Sequence, residues 1–215
     1  GDDSLDFDYV ALLDDVAADA DTLDHLVAVG GDPSGWTAYD DLVETDWTAE
    51  HGDRIEAVEV NPNDPGVMLL SGGTTGMPKG IPRTHNDYVF QWKQMAEAAR
   101  MVEEWVSFPC VPIGHNASLN PIVGGSVLAG GSIATEPVLK TEPLLERIVS
   151  EGVNYFFAVP TQLVDILEYE DLEEYDLSGV EAVISGGQKV PPRVVREFHD
   201  RWGIGFNNIF GMAEG

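Results

Sequence analysis

From residue 66 onward, short apolar runs alternate with stretches of helical periodicity. Val67-Met68-Leu69-Leu70 reads as a buried strand, and 86–101 repeats its apolar positions as a helix does. The same pattern predicts strands over 105–108, 132–135, 153–159, 180–184 and 206–210. Helices are predicted over 117–128 (despite Pro121 and its glycines), 142–150, 160–169 and 191–202. Thr141 is the expected N-cap of the 142–150 helix, with Pro143 in its first turn. This alternation predicts an α/β fold, a largely parallel sheet flanked by helices on both faces. Ligands of such sheets collect at the carboxyl ends of the strands.

Residues 1–60 follow a different pattern. They hold 18 acidic residues against one Arg, Arg54. Val10, Leu12, Leu13 and Val16 are spaced as on a helix over 8–19, and 25–29 reads as a strand before the turn at Gly30-Gly31. Residues 32–36 are expected as loop and 39–43 as a short helix. Asn61-Pro62-Asn63-Asp64-Pro65-Gly66 is a strong turn signal. The expected division is therefore an acidic partial α/β segment over 1–60 and a core subdomain over 61–215.

Charge changes the picture most. The net charge is −27, from 38 acidic and 11 basic residues, and only Lys79, Lys93, Lys140 and Lys189 are lysines. A chain with so few basic residues replaces few counterions of a nucleic acid, so no nucleic-acid partner is expected. Self-repulsion at this density destabilises a compact state unless salt screens it. The acids lie on the predicted helices as well as near the N-terminus, which points to a salt-adapted, halophilic protein rather than to one acidic tail. A hydrophobic fraction of 43% suffices for a core, and no apolar run reaches 18 residues, so no membrane span is expected. The single cysteine, Cys110, sits among Phe108, Pro109, Val111 and Pro112 and is expected to be a buried, inert thiol. No basic, apolar leader opens the chain, so a cytoplasmic location is expected. Gly1-Asp2-Asp3, without Met, reads as a cloning or processing boundary.

The candidate chemistry begins at residue 69. The run Leu69-Leu70-Ser71-Gly72-Gly73-Thr74-Thr75-Gly76-Met77-Pro78-Lys79-Gly80 places four glycines among hydroxyls and one lysine, after a strand and before a helix. Backbone N–H groups of such a loop form an anion nest, the hydroxyls of Ser71, Thr74 and Thr75 add donors, and Lys79 adds a compact charge. A Walker A loop would end in Gly-Lys-Ser/Thr, and this one does not. A glycine-rich turn without a ligand is the competing reading. Further on, His115-Asn116 follows Val111-Pro112-Ile113-Gly114; an imidazole and an amide at a strand end can orient a carboxylate and a neutral ortho-hydroxyl. A core histidine beside a turn asparagine competes. Ser185-Gly186-Gly187-Gln188-Lys189 follows a strand and would let a flat heterocycle lie against backbone, unless it is only a turn into the next helix. The chain closes on Phe210-Gly211-Met212-Ala213-Glu214-Gly215, where a ring could stack and a carboxylate could hold a hard cation; a strand end with a surface acid competes.

The string Ser-Gly-Gly-Thr-Thr-Gly-Met-Pro-Lys-Gly over 71–80 resembles the signature phosphate loop of the adenylate-forming (AMP-binding) enzymes. Its continuation Ile81-Pro82-Arg83-Thr84-His85 resembles the aryl-acid branch, typified by the 2,3-dihydroxybenzoate–AMP ligases of siderophore biosynthesis. The resemblance runs from about residue 60 to the end. It implies part of the large N-terminal domain of such an enzyme, with ATP and Mg²⁺ as cofactors. By resemblance, Ser71, Gly72, Gly73, Thr74, Thr75, Gly76 and the catalytic Lys79 hold the β/γ-phosphates. Gly186, Gly187, Gln188, Phe210, Gly211, Met212 and Ala213 bind the nucleotide, and Glu214 binds Mg²⁺. His115 and Asn116 orient the aryl acid, His115 and Glu214 counting with Lys79 as catalytic. Three positions depart from the family pattern. Ala117 replaces an aromatic residue, Gln188 a small one, and Ala213 a Thr, the last as in the aryl-acid branch. The implied reaction joins a carboxylic acid to ATP, giving acyl-AMP and pyrophosphate. A thiol then takes the acyl group, either carrier-protein phosphopantetheine or CoA. The chain stops at the Mg²⁺ motif, short of the family's ribose-binding Asp and C-terminal domain, so these 215 residues alone are expected not to turn over. An acyl-CoA synthetase of other acid specificity and a non-catalytic nucleotide-binding remnant remain as alternatives.

Overall fold

The structure, a computed structural model, describes residues 8–30, 34–71 and 76–214. These residues group into two compact units, one ending at Val60 and one starting at Asn61. In the first unit, α1 (Tyr9–Asp19) is capped by the Asp8 carboxylate, which accepts the Ala11 N–H. Two-residue strands β1 (Val27–Ala28) and β2 (Thr37–Ala38) pair in parallel, so the strand expected over 25–29 is shorter than its apolar run. Helices α2 (Tyr39–Glu44) and α3 (Trp47–Glu56) follow, the second capped by Asp46. Ala28 is the only buried residue among those described here.

The second unit opens on a hairpin. Strand β3 (Pro65–Leu70) pairs antiparallel with β4 (Gly80–Thr84). Strand β4 corrects the expected order of strand, loop, helix: the glycine loop joins two strands, and the helix begins only after the second. Helix α4 (His85–Ala99) starts there because the Thr84 hydroxyl caps the Asp87 N–H.

A five-stranded parallel sheet follows: β5 (Val106–Pro109), β6 (Ser132–Ile133), β7 (Tyr155–Phe157), β8 (Ala182–Ser185) and β9 (Gly205–Asn208). Its order is β6-β5-β7-β8-β9. Between β5 and β6 runs one irregular helix, α5 (Asn116–Ser118), a π-helical turn (Leu119–Gly124) and α6 (Gly125–Ala129). Pro121 has no N–H to give, and the Gly125 N–H reaches back five residues to the Asn120 carbonyl, so the wider π turn carries the helix past the proline. The other crossovers are α7 (Thr141–Ser150), α8 (Pro160–Leu167) and α9 (Pro192–Trp202). Thr141 is the first helical residue and not the N-cap; Lys140 holds that place and uses no side-chain bond.

Alternation along the strands splits the core in two. Phe108, Phe156 and Val183 pack with Leu144, Leu145 and Ile148 of α7, Leu163 and Ile166 of α8, and Val194 and Phe198 of α9. Their neighbours Tyr155, Phe157 and Ile184 pack on the other face with Ile122 of the π turn. The sheet is thus covered on both sides, and β7 is buried at every residue. Cys110 lies in the first of these clusters, where burial pushes its thiol far above the usual cysteine value. No helix among the described residues is long and apolar enough to cross a membrane.

Candidate functional site

The carboxyl ends of β7, β8 and β9 open into a cleft of about 690 Å³ whose other walls are β3, α4 and the start of α5. His115, Asn116 and Ala117 line it, as do Gly186 and Gly187 after β8, and Phe210 to Ala213 after β9. Two stretches almost a hundred residues apart in sequence thus share one cavity. Ser71, Gly76, Lys79, Gln188 and Glu214 are not among its lining residues. Gly72, Gly73, Thr74 and Thr75 lie outside the described residues.

Ser71 and Lys79 close the neck of the glycine loop. The Ser71 N–H donates to the Lys79 carbonyl at 2.9 Å, and the Ser71 hydroxyl accepts the Lys79 N–H at 3.0 Å. The hydroxyl read from sequence as a phosphate donor thus already accepts one bond within the hairpin. The Lys79 side chain is exposed.

Asn116 is held from three sides. Its Nδ2 donates to the Met212 carbonyl at 3.1 Å. Its Oδ1 accepts from the Tyr88 hydroxyl and from Asn120 Nδ2, each at 3.0 Å. With both carbonyl lone pairs used, the amide offers a ligand only its second N–H. Asn120 is in turn fixed by Trp92 Nε1, which donates to its Oδ1 at 3.1 Å, and by Gln91, which accepts from its Nδ2 at 2.6 Å. His115 Nδ1 accepts the Ala117 N–H at 3.1 Å, which assigns the ring proton to Nε2 and leaves that edge a donor.

The residues expected from sequence to meet a nucleotide are arranged differently. Gly187 has φ +79°, a conformation that favours glycine. A Cβ on Gly186 would come within 2.9 Å of the Ile209 side chain, so its missing side chain admits the neighbouring segment. Phe210 is 91% exposed, a large apolar ring held in solvent beside the cleft. Glu214 is exposed, and no group of three His, Cys, Asp or Glu side chains suited to a metal occurs among the described residues. One carboxylate fits a magnesium ion that takes its remaining ligands from phosphate and water.

Sequence reasoning passed over Tyr88, Gln91 and Asn120, which orient Asn116, and Arg83, which binds the Ala213 carbonyl at 2.9 Å. One signal was present. Asn120 stands four residues after Asn116, the spacing that stacks two side chains on one helix face.

Comparisons with known proteins bear on the family and the fold. The family model described as AMP-binding enzyme matches residues 7–215. A salicyl-AMP ligase / salicyl-S-ArCP synthetase of Mycobacterium tuberculosis is 32% identical over 97% of the chain, which spans 36% of that protein. A 2,3-dihydroxybenzoate-AMP ligase of Bacillus subtilis is 30% identical over 97% of the chain, which spans 37% of it. Among solved structures, an anthranilate CoA ligase in complex with anthranoyl-AMP superposes with a TM-score of 0.83 at 21% identity, over 96% of this chain and 40% of that one. The chain thus spans little more than a third of the length of these curated relatives. Its motifs, its parallel sheet and the family match over 209 residues agree, and the chain belongs to the AMP-binding enzyme family.

Proposed function

We propose that the protein activates an aryl carboxylic acid of the 2-hydroxybenzoate class with ATP, forming acyl-AMP and pyrophosphate for transfer to a thiol. The observation that carries this reading is the shared cleft, where the Asn116 amide is bonded to the backbone beside Phe210. The free N–H of Asn116 suits an ortho-oxygen, and the Nε2 edge of His115 suits a carboxylate. Both then present the acid for in-line attack on the α-phosphorus, a reaction that asks the protein mainly for alignment and charge neutralisation. Gly186, Gly187 and Phe210 to Ala213 hold the nucleotide base. Ser71 to Gly76 and Lys79 hold the β/γ-phosphates, and the exposed Gln188, next to Gly187, adds a contact to the nucleotide. Glu214 would hold Mg²⁺, which supplies charge neutralisation on the phosphates. The relatives' names speak of carrier-protein and CoA thiols, and either is the acceptor class here.

Acid-dependent ATP–pyrophosphate exchange tests this, measured in molar KCl on the protein encoded by the whole open frame containing this chain. Exchange with salicylate or 2,3-dihydroxybenzoate, and none with fatty or amino acids, is the expected result. Ala117 lines the cleft where the family has an aromatic ring, which favours a second reading, an acid bulkier than these. Exchange with only a bulkier acid would select it, and no exchange with any acid from folded protein would leave a nucleotide-binding module.

The charge of −27 supports a salt-adapted protein. The melting temperature is expected to rise steeply from about 0.1 M to about 2 M KCl, as the Debye length falls from about 10 Å to below about 3 Å. A melting temperature indifferent to KCl would count against salt adaptation.

A further inference from the structure

Two buried side chains that do not line the cleft join its two ends. Arg83, on β4, is 3% exposed. Its Nε bonds Asp87, its Nη1 donates to the Ala213 carbonyl at 2.9 Å, and its guanidinium lies 5.1 Å from the centre of the Tyr88 ring. Its Nη2 is buried and finds no acceptor among the described residues, an expensive state for a charged donor. Tyr88, on α4, is also 3% exposed, and its hydroxyl donates to Asn116. Asn116 donates to the carbonyl of Met212. The contacts therefore close on themselves: Arg83 to Tyr88, Tyr88 to Asn116, Asn116 to Met212, and Ala213 back to Arg83. Two successive carbonyls of one turn are gripped by the two ends of this chain of side chains.

We propose that Arg83 and Tyr88 are positioning residues that couple the acid subsite to the nucleotide segment, so that filling either raises the affinity of the other. This rests on the acid-activating reading above. The acid-side amide cannot rotate without giving up Met212 and Tyr88. The 210–214 segment cannot shift without pulling on Asn116 and Arg83. A ligand bonded to the free N–H of Asn116 therefore orders the backbone on which a base would stack, and a base stacked on Phe210 orders the amide. The ordering cost falls on whichever ligand binds first, and the second binds a site already set. Glu214 follows the Ala213 anchor directly. The guanidinium is held above the ordinary arginine value chiefly by its bond to Asp87, and the charge of Glu214 adds to the effect, which places that carboxylate within the field of Arg83.

The test measures salicylate affinity by calorimetry with and without saturating AMP, and AMP affinity with and without salicylate. It uses the whole open-frame protein in molar KCl. Wild type is expected to show a coupling factor of about 5 to 150, the same in both directions. Tyr88→Phe keeps the ring against Arg83 and removes only the hydroxyl; Arg83→Lys keeps the charge and loses the fork. Each is expected to bring the factor below about 2, a loss a merely structural side chain would not cause in protein that melts normally. A wild-type factor near 1, or an unchanged factor in folded Tyr88→Phe, overturns the coupling and leaves acid activation standing. Binding of AMP but of neither salicylate nor a bulkier aryl acid sinks the acid-activating reading, and the coupling with it.

Discussion

Asn116→Asp is expected to lower exchange with 2-hydroxybenzoates about a thousandfold. The substitution changes one amide nitrogen into an oxygen, at the atom that bonds the Met212 carbonyl at 3.1 Å. Two acceptors would then face each other, and the carbonyl of the exposed Met212 would exchange its donor for water, which costs about 0.5–1.5 kcal/mol. The Tyr88 and Asn120 donors would still be met by a carboxylate, so the side chain stays in place rather than swinging away. On the proposed acid-activating reading the new charge faces the incoming acid, and like charges brought together cost several kcal/mol more. About 4 kcal/mol in all corresponds to the thousandfold loss. Asn116→Ser, which adds no charge, should lose only about twofold to tenfold, by the hydrogen-bond cost alone. Equal losses in the two variants would show that repulsion plays no part. Full activity in Asn116→Asp would remove Asn116 from the acid subsite.

The second large effect lies behind the site. Gly124→Ala should destabilise the protein by about 3 kcal/mol, although alanine is the better helix former by about 0.5–1 kcal/mol. A Cβ at Gly124 would fall inside the indole of Trp92, against the ring atoms nearest the backbone, which cannot swing clear as a side-chain tip can. The ring would have to move, and with it the bond from its Nε1 to Asn120. For a chain of this length the loss amounts to about 6–12 °C in melting temperature. Gly179→Ala is the control: its surroundings are open, and it should change stability by less than about 0.5 kcal/mol. Adding Trp92→Leu to Gly124→Ala should cost less than the sum of the two single changes, because the second mutation removes the clash created by the first. A stabilised Gly124→Ala would refute the close contact.

These two sites mark how far the sequence could be read. The alternation of β5 to β9 with their helices was legible because apolar runs and helical periods differ by nature, and the strand ends at Asn116, Gly186 and Phe210 followed from it. Strand β4 was not legible. Pro82 argues against a strand, since it lacks the N–H a ladder needs. In a two-stranded sheet each strand keeps one edge unpaired, and the proline, opposite Met68, is tolerated there. The circuit through Arg83 was illegible for another reason. Arg83 and Ala213 stand 130 residues apart, and only the folded sheet brings them to a hydrogen bond. Local patterns announce which face of an element is apolar. They do not say which polar group on a helix will meet which carbonyl at a distant strand end.

The strand order β6-β5-β7-β8-β9 has a consequence for how the chain assembles. The first two strands made, β5 and β6, are neighbours. Strand β7 then joins the free edge of β5, β8 the free edge of β7, and β9 the free edge of β8. After β6, growth always proceeds on one side, and no strand must be inserted between two already paired. A ribosome delivering this segment therefore offers each new strand a finished template, and no earlier ladder has to be unzipped to admit it. Parallel sheets are slow to form because their partners are distant in sequence. Here each arrival needs only the edge left open by a strand already made, which limits how long an unpaired edge waits exposed to other chains.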